Sequence, residues 1–285
     1  MANSQESFGQ IIRTFRKKRK MTQKMLAEDI CSQSVLSRIE NNEELPNVLV
    51  MHQICQRLGV TLDQVMMLHA EEINRTNQVF AQMESHFVHK EYQELLTKLQ
   101  DKTIMDYLYL DADMQMYYYF LGSCEYFLFQ DYEAAIESLK KGLSYSYQQD
   151  KINISVMEIR LLSCMGRVYN DMQQLEEARF HLEKSYHGVQ VLPAERMTTT
   201  LTKVFYNYAV FLAKQEEFTT ALQILEEGID LAREKNSFYF LEELFELKGH
   251  VFVALDNQQA ADESFALYQA VVDLSLIHIS EPTRH

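Results

Sequence analysis

Apolar residues recur at helical spacing along almost the whole chain. Phe8, Ile11, Ile12 and Phe15 stand at i, i+3, i+4 and i+7, which predicts an amphipathic helix running into the cluster Arg16-Lys17-Lys18-Arg19-Lys20. Thr22 then serves as N-cap for a second helix, TQKMLAEDI, with Leu26 and Ile30 facing inward. Ser32 caps a third, QSVLSRIEN, with Val35, Leu36 and Ile39 inward. After Pro46 a fourth helix runs through Val50, Ile54 and Leu58 and stops at Gly59, and Thr61 caps a fifth, TLDQVMML. Five short helices within residues 8–68, the second and third nearly adjacent, make a helix-turn-helix unit.

From residue 69 onward the period stays helical, and a longer repeat is superimposed on it. Gly166, Tyr169, Ala178, Leu182 and Ser185 follow offsets of +3, +12, +16 and +19 from the glycine. The same frame fits Phe205, Ala209, Phe218, Ala221, Leu225 and Gly228; Gly249, Phe252, Ala261 and Phe265; and Ser123, Tyr132, Ala135, Leu139 and Gly142. A weaker first copy has Tyr92, Leu95 and Leu99. The equivalent positions Leu95, Ala135, Ala178, Ala221 and Ala261 are 40, 43, 43 and 40 residues apart. These offsets resemble those of a tetratricopeptide repeat, whose usual period is roughly 34 residues. The excess implies longer helices or loops such as QQDKIN at 148–153 and LPAERM at 192–197.

Composition sharpens this picture. Only 8 glycines and 3 prolines occur in 285 residues, too few for the turns of a sandwich, barrel or doubly wound sheet. The fold class predicted is therefore all-α. The formal charge is −14, but it is unevenly spread. Residues 1–70 carry nine Lys/Arg against seven Asp/Glu, whereas the remainder carries 18 against 34. A mildly basic head on an acidic body suggests separate tasks. No apolar stretch is long enough for a membrane span, the N-terminus has no signal-peptide core, and the four cysteines form no CxxC pair. A cytoplasmic protein with reduced thiols and no membrane partner is expected.

The head carries a specific resemblance. TQKMLAEDICSQSVLSRIENN, the later proline and LGVTLD resemble the DNA-binding domain of phage-repressor-like regulators of the XRE (Cro/CI) type over residues 8–68. The usual glycine between the second and third helices is missing. The turn reads Ile30-Cys31-Ser32-Gln33-Ser34, which looks like the PlcR type of quorum-sensing regulator. In such domains the start of the recognition helix meets base edges and the flanking helix starts meet phosphates. The residues expected at DNA are thus Gln33, Ser34, Ser37 and Arg38, with Thr22, Gln23 and Lys24 at a phosphate. Capping by Ser32 and Ser34, with a solvated Arg38, is the plainer alternative. Lys17, Lys18 and Lys20 would add nonspecific attraction. The resemblance further implies a structural ion pair between Glu40, late in the recognition helix, and Arg16, late in the first.

A repressor-like head on a five-repeat body resembles the PlcR/Rgg/PrgX (RRNPP) group of regulators. That resemblance implies an N-terminal helix-turn-helix followed by a right-handed α-solenoid that binds a short signalling peptide and dimerises. The expected organisation is a DNA-binding domain at 1–68, a linker helix at 69–90 and a tetratricopeptide-like domain at 79–274. Residues 275–285, SLIHISEPTRH, do not continue the repeat and resemble a translated library-adaptor sequence, so a non-native tail is expected there. Tetratricopeptide stacks line a concave groove with the first helix of each hairpin. Positions one and four after the small residue face the groove, as do those three and six before it. This places Arg160, Ser163, Arg167 and Asn170 there from one repeat, and Lys203, Tyr206 and Val210, with Asn207 adjacent, from the next. The Ser123 repeat adds Tyr117, Phe120, Cys124 and Phe127. Asparagine can satisfy both N–H and C=O of an extended backbone, and arginine or lysine can hold a carboxylate. Peptide contacts are expected from Arg160, Arg167, Asn170, Lys203, Tyr206, Asn207 and Phe120.

No nucleophile-and-base set, phosphate loop or paired-carboxylate motif is evident, so no enzyme activity and no cofactor are expected. His86 and His89 lie i, i+3, but no further ligand joins them, so no metal site is expected. Two other readings stay open. One is a peptide-independent repressor whose repeats serve dimerisation or protein binding. The other is a repeat-based adaptor of the related Rap group, which lacks such a head.

Overall fold

A computed structural model of the chain describes residues 8–101, 103–108, 110–147, 151 and 153–280. Parts of the QQDKIN loop and residues 281–285 of the expected tail lie outside the described residues. Among the described residues there are helices and no strand. The chain divides into two compact units, 1–82 and 83–285.

In the first unit, α1 (Phe8–Lys18), α2 (Gln23–Ala27), α3 (Gln33–Glu40) and α4 (Val48–Leu58) enclose a small core with the start of α5 (Leu62–Val88). Ile11, Ile12, Leu26, Leu36, Ile39, Ile54, Leu58 and Val65 fill it. The helix boundaries follow local chemistry. Thr22 Oγ1 accepts from the Met25 amide, Ser32 Oγ from Val35 and Asn47 Oδ1 from Val50, each satisfying an orphan N–H at a helix start. Gly59 ends α4 at φ +57°, a left-handed conformation that favours glycine. The second helix stops at Ala27, short of the TQKMLAEDI span read from sequence, because Asp29 turns the chain at φ +58°. The fifth helix and the expected linker are one continuous helix, α5, which has no breaker along its length.

In the second unit, α6 (Tyr92–Leu99) precedes four helical hairpins. These are α7 (Asp111–Phe129) with α8 (Tyr132–Leu143), α9 (Val156–Asp171) with α10 (Leu175–Gln190), α11 (Thr202–Lys214) with α12 (Phe218–Glu234), and α13 (Leu241–Ala254) with α14 (Gln258–Ser280). Successive first helices pack in a row, α7 on α9, α9 on α11 and α11 on α13. The small residue of the repeat lets each hairpin close. A Cβ on Gly166 would lie 2.5 Å from Leu182 Cγ, and one on Gly249 would lie 2.5 Å from the Phe265 ring. In the first hairpin that approach falls at Gly122, against Leu139, one residue before the Ser123 of the sequence frame. Ser123 is instead turned toward α9, with its Oγ 3.8 Å from Cys164 Sγ. The chain from residue 275 continues α14 as far as Ser280.

Candidate functional site

Two sites emerge, one in each unit. In the first unit, α2 and α3 flank an open depression lined by Thr22, Gln23, Lys24, Met25, Glu28 and Gln33, among others. Thr22, Lys24, Gln33, Ser34 and Arg38 are exposed, and Ser37 is half-buried. Their orientation is set from beneath. Arg16 and Glu40 form a bidentate pair, Nε to Oε1 at 2.6 Å and Nη2 to Oε2 at 2.8 Å, while Arg16 Nη1 donates to the Met21 carbonyl. Gln23 Nε2 donates to Glu40 Oε2 at 2.9 Å, and Gln33 Nε2 donates to Gln23 Oε1 at 2.6 Å. A continuous relay thus runs from the buried pair to the surface at the start of α3. Burial pushes the Glu40 carboxyl up, but hydrogen bonds from Arg16 and Gln23 outweigh it and hold the group below the usual carboxylate range. Gln23 therefore positions Gln33 as well as facing outward, a role the sequence did not suggest. Arg38 is engaged with Glu44 at 2.7 Å in an exposed pair.

In the second unit, a cavity of about 250 Å³ is lined by Lys90, Tyr92, Phe127, Arg167, Lys203, Tyr206, Asn207, Phe240 and Glu243. Four of the seven residues expected to meet a peptide line it: Arg167, Lys203, Tyr206 and Asn207. The other three do not. Phe120 is fully buried in the core against Phe87 and Tyr119. Arg160 is buried, with its guanidinium bidentate to Glu84 at 2.7 and 3.1 Å and 4.5 Å from the Tyr119 ring. Asn170 is buried and donates to Asp171 Oδ1, so it supports that carboxylate rather than the cavity wall.

Within the cavity most polar groups already have partners. Arg167 Nε meets Tyr126 Oη at 3.2 Å and Asp171 Oδ2 at 3.3 Å, and Lys214 reaches the other Asp171 oxygen at 3.1 Å. Asn207 Nδ2 donates to Ser163 Oγ at 3.0 Å, tying α11 to α9. Lys90 bridges to Glu242 at 3.2 Å and to Glu243. Lys203 has none: it is 6% exposed, and its Nζ has no hydrogen-bond acceptor. Three rings surround it instead, Phe87 at 4.5 Å, Phe127 at 4.7 Å and Phe240 at 5.5 Å. Burial, with Arg160 and Arg167 nearby, lowers its pKa to about 8. Phe240 holds a left-handed conformation at φ +61°, which is costly for a bulky residue.

Of the cavity residues the sequence reading missed, Glu243 had a signal. It stands six before Gly249, the same offset that marks Arg160 before Gly166 and Lys203 before Ala209. Lys90 and Phe240 had none, since both lie in turns at positive φ outside the repeat frame. His86 Nδ1 lies 2.7 Å from Glu91 and His89 Nδ1 lies 2.7 Å from the Ser85 carbonyl. Among the described residues no group of three metal-ligating side chains is assembled, and no helix is long and apolar enough to cross a membrane.

Residues 12–65 match the helix-turn-helix family model. No curated protein matches the chain by sequence. Among solved structures, Bacillus thuringiensis PlcR in complex with the peptide PapR7 and DNA is 23% identical, with 96% of this chain and 97% of that chain covered and a TM-score of 0.63. The apo form of PlcR is 19% identical, with 95% and 96% covered, at the same TM-score. The competence regulator ComR from Streptococcus vestibularis in complex with its signalling peptide XIP is 16% identical, with 95% and 93% covered and a TM-score of 0.57. The chain thus carries an N-terminal helix-turn-helix domain ahead of a helical-repeat domain, in a fold that it shares with PlcR along nearly its whole length.

Proposed function

We propose that this protein is a cytoplasmic transcription regulator that binds an operator through α2 and α3 and senses a short signalling peptide in the cavity of its repeat domain. The observation that carries the reading is the presence on one chain of a helix-turn-helix surface and a repeat-domain cavity that holds a buried cation without an acceptor. At the head, Gln33, Ser34, Ser37 and Arg38 read base edges, and Thr22, Gln23 and Lys24 hold a phosphate at the start of α2. In the repeats, Arg167, Lys203, Tyr206 and Asn207 meet the peptide directly, and Arg160 and Asn170 support them. The protein acts as a homodimer, so that two recognition helices reach half-sites about 34 Å apart. The similarity to PlcR and ComR, whose structures contain signalling peptides, supports the peptide as ligand.

The test uses the full chain and fragmented DNA of its source genome. Bound fragments are recovered and sequenced with and without synthetic peptides taken from short reading frames beside the gene. A shared two-fold motif whose occupancy changes with one peptide supports the reading. A motif indifferent to every peptide favours a peptide-independent repressor, and a profile without sequence preference removes the DNA-reading role.

A further inference from the structure

We propose that Lys203 is one half of an ion pair whose other half is brought by the ligand, so that the repeat cavity selects a molecule carrying a carboxylate beside a small apolar group. A buried ammonium without an acceptor is costly, and three aromatic rings compensate it only in part. The surrounding charges are committed elsewhere. Arg167 and Lys214 share Asp171, Arg160 is held by Glu84, and Lys90 holds Glu242 and Glu243. With Arg167 and Lys214 on one carboxylate, Lys90 on two and Arg160 on one, the set including Lys203 carries one net positive charge, and Lys203 is the cation whose Nζ has no acceptor. Arg167, another cation of the same cavity, already pairs through its Nε with Asp171 and the Tyr126 hydroxyl.

A second orphan lines the same cavity. Glu243 Oε2 is buried without a donor, its other oxygen being taken by Lys90. An occupant that satisfies both offers a carboxylate to Lys203 and an N–H to Glu243. Phe127, Phe240, Tyr92 and Tyr206 supply apolar wall. At about 250 Å³ the cavity lies at or below the small end of ligand sites, so it takes one residue or its equivalent, not a whole peptide. The carboxylate comes from a chain terminus or from an acidic side chain. That the molecule is a peptide rests on the function proposed above, whereas the demand for an anion rests on Lys203.

The test exposes the full chain to three pools of synthetic heptapeptides and identifies retained species by mass spectrometry after gel filtration. The first pool lacks Asp and Glu and has free C-termini, the second is the same with amidated C-termini, and the third is amidated with one Glu. In parallel, 3-phenylpropionate and its neutral amide are compared by thermal shift. Each arm is run on wild type, Lys203→Met and Lys203→Arg. Retention from the first pool alone assigns a terminal carboxylate, and retention from the third assigns a side chain. In either case Lys203→Met should weaken binding about ten- to hundredfold while Lys203→Arg keeps it. If no pool is retained but 3-phenylpropionate stabilises wild type and not Lys203→Met, the anion site stands and the peptide reading falls. Equal retention of charged and amidated peptides, unchanged in Lys203→Met, overturns the anion site and leaves the peptide reading intact. No response in any arm overturns both.

Discussion

The two units each bury a charge, and they treat it in opposite ways. In the head, Arg16 and Glu40 close on each other, and further hydrogen bonds run to the Met21 carbonyl, to Gln23 and, through it, to Gln33. In the repeat domain, Lys203 lies as deep as Arg16 and has rings for neighbours but no acceptor. A closed pair adds little net stability, because desolvation offsets most of the attraction, but it fixes orientation. Here it fixes Gln33, the side chain that opens α3. An open charge costs stability for as long as no group of opposite sign meets it. The head thus holds its surface fixed, whereas the cavity keeps a charge that a partner of opposite sign would satisfy.

The largest expected effect comes from opening the closed pair. Arg16→Met leaves Glu40 buried without a cation and should destabilise the head by about 3–5 kcal/mol, whereas Arg16→Met/Glu40→Leu should recover most of that loss. Hydrogen exchange at the amides of Ile12 and Leu36 in the full chain measures it locally. The folded-state pKa of Glu40 is depressed, so its contribution is present above the ordinary carboxylate range and is lost as the pH falls through the folded value. An equal loss in the single and double variants would mean that the pair does not organise the head.

Closing the open charge should act in the opposite direction. Lys203→Met removes an uncompensated ammonium and should stabilise the repeat domain by about 3 kcal/mol at neutral pH, the equivalent of a pKa drop from 10.5 to about 8. Because the folded pKa is depressed, the wild-type penalty is complete below pH 8. It fades as the pH rises toward 10.5, and the difference between variant and wild type should fade with it. Denaturation midpoints of the two proteins across that window provide the check. A variant less stable than wild type at pH 7 would show that Lys203 is already paid for by its rings.

Much of this contrast was legible in the sequence, but unevenly. The head's helices follow caps and period, so Thr22, Ser32 and Gly59 mark boundaries at positions where the structure also turns. The offset of six before the small residue picks out Lys203 and Arg160 correctly as inward-facing, and carried one repeat further it reaches Glu243. Spacing, however, does not tell a cavity wall from a packed core. Phe120 and Arg160 share the inward face with Lys203, yet Phe87 and Glu84, from the end of α5, cover them. Those covering residues belong to a helix distant in sequence, and no local period encodes such a contact. The same holds for Lys90, which meets Glu242 and Glu243 across some 150 residues of chain.

Two smaller effects probe the rigid parts of each unit. Gly166→Ala forces a Cβ to within 2.5 Å of Leu182 Cγ and should cost about 1–3 kcal/mol in the repeat domain, measured by urea unfolding. Leu182→Ala in the same chain removes the clashing atoms, so Gly166→Ala costing as much in the Leu182→Ala background as by itself would place the hairpin's closest approach elsewhere. On the head, Gln33→Ala and Arg38→Ala should each weaken binding to the enriched operator by about 1–3 kcal/mol without changing its unfolding midpoint. Gln23→Ala should lose affinity through Gln33, so its effect should shrink when Gln33 is already alanine.

The smallest effect tests how the head trades one partner for another. Arg38 is paired with Glu44 at 2.7 Å on an exposed surface, and a pair of that kind contributes roughly 0.2–1 kcal/mol. If Arg38 turns to DNA, the pair is given up on binding and its energy is subtracted from the affinity. Glu44→Ala removes that cost, and with it a carboxylate near the phosphates, so operator affinity should rise by about 1.5- to 5-fold, less at high salt. Stability should be almost unchanged, because nothing buried is touched. The deciding measurement is the same substitution in an Arg38→Ala background. The part of the gain that comes from freeing Arg38 should vanish there, leaving only the salt-sensitive repulsion. A gain of the same size without Arg38 would mean that Glu44 acts on the phosphates alone and that Arg38 stays with solvent when DNA binds.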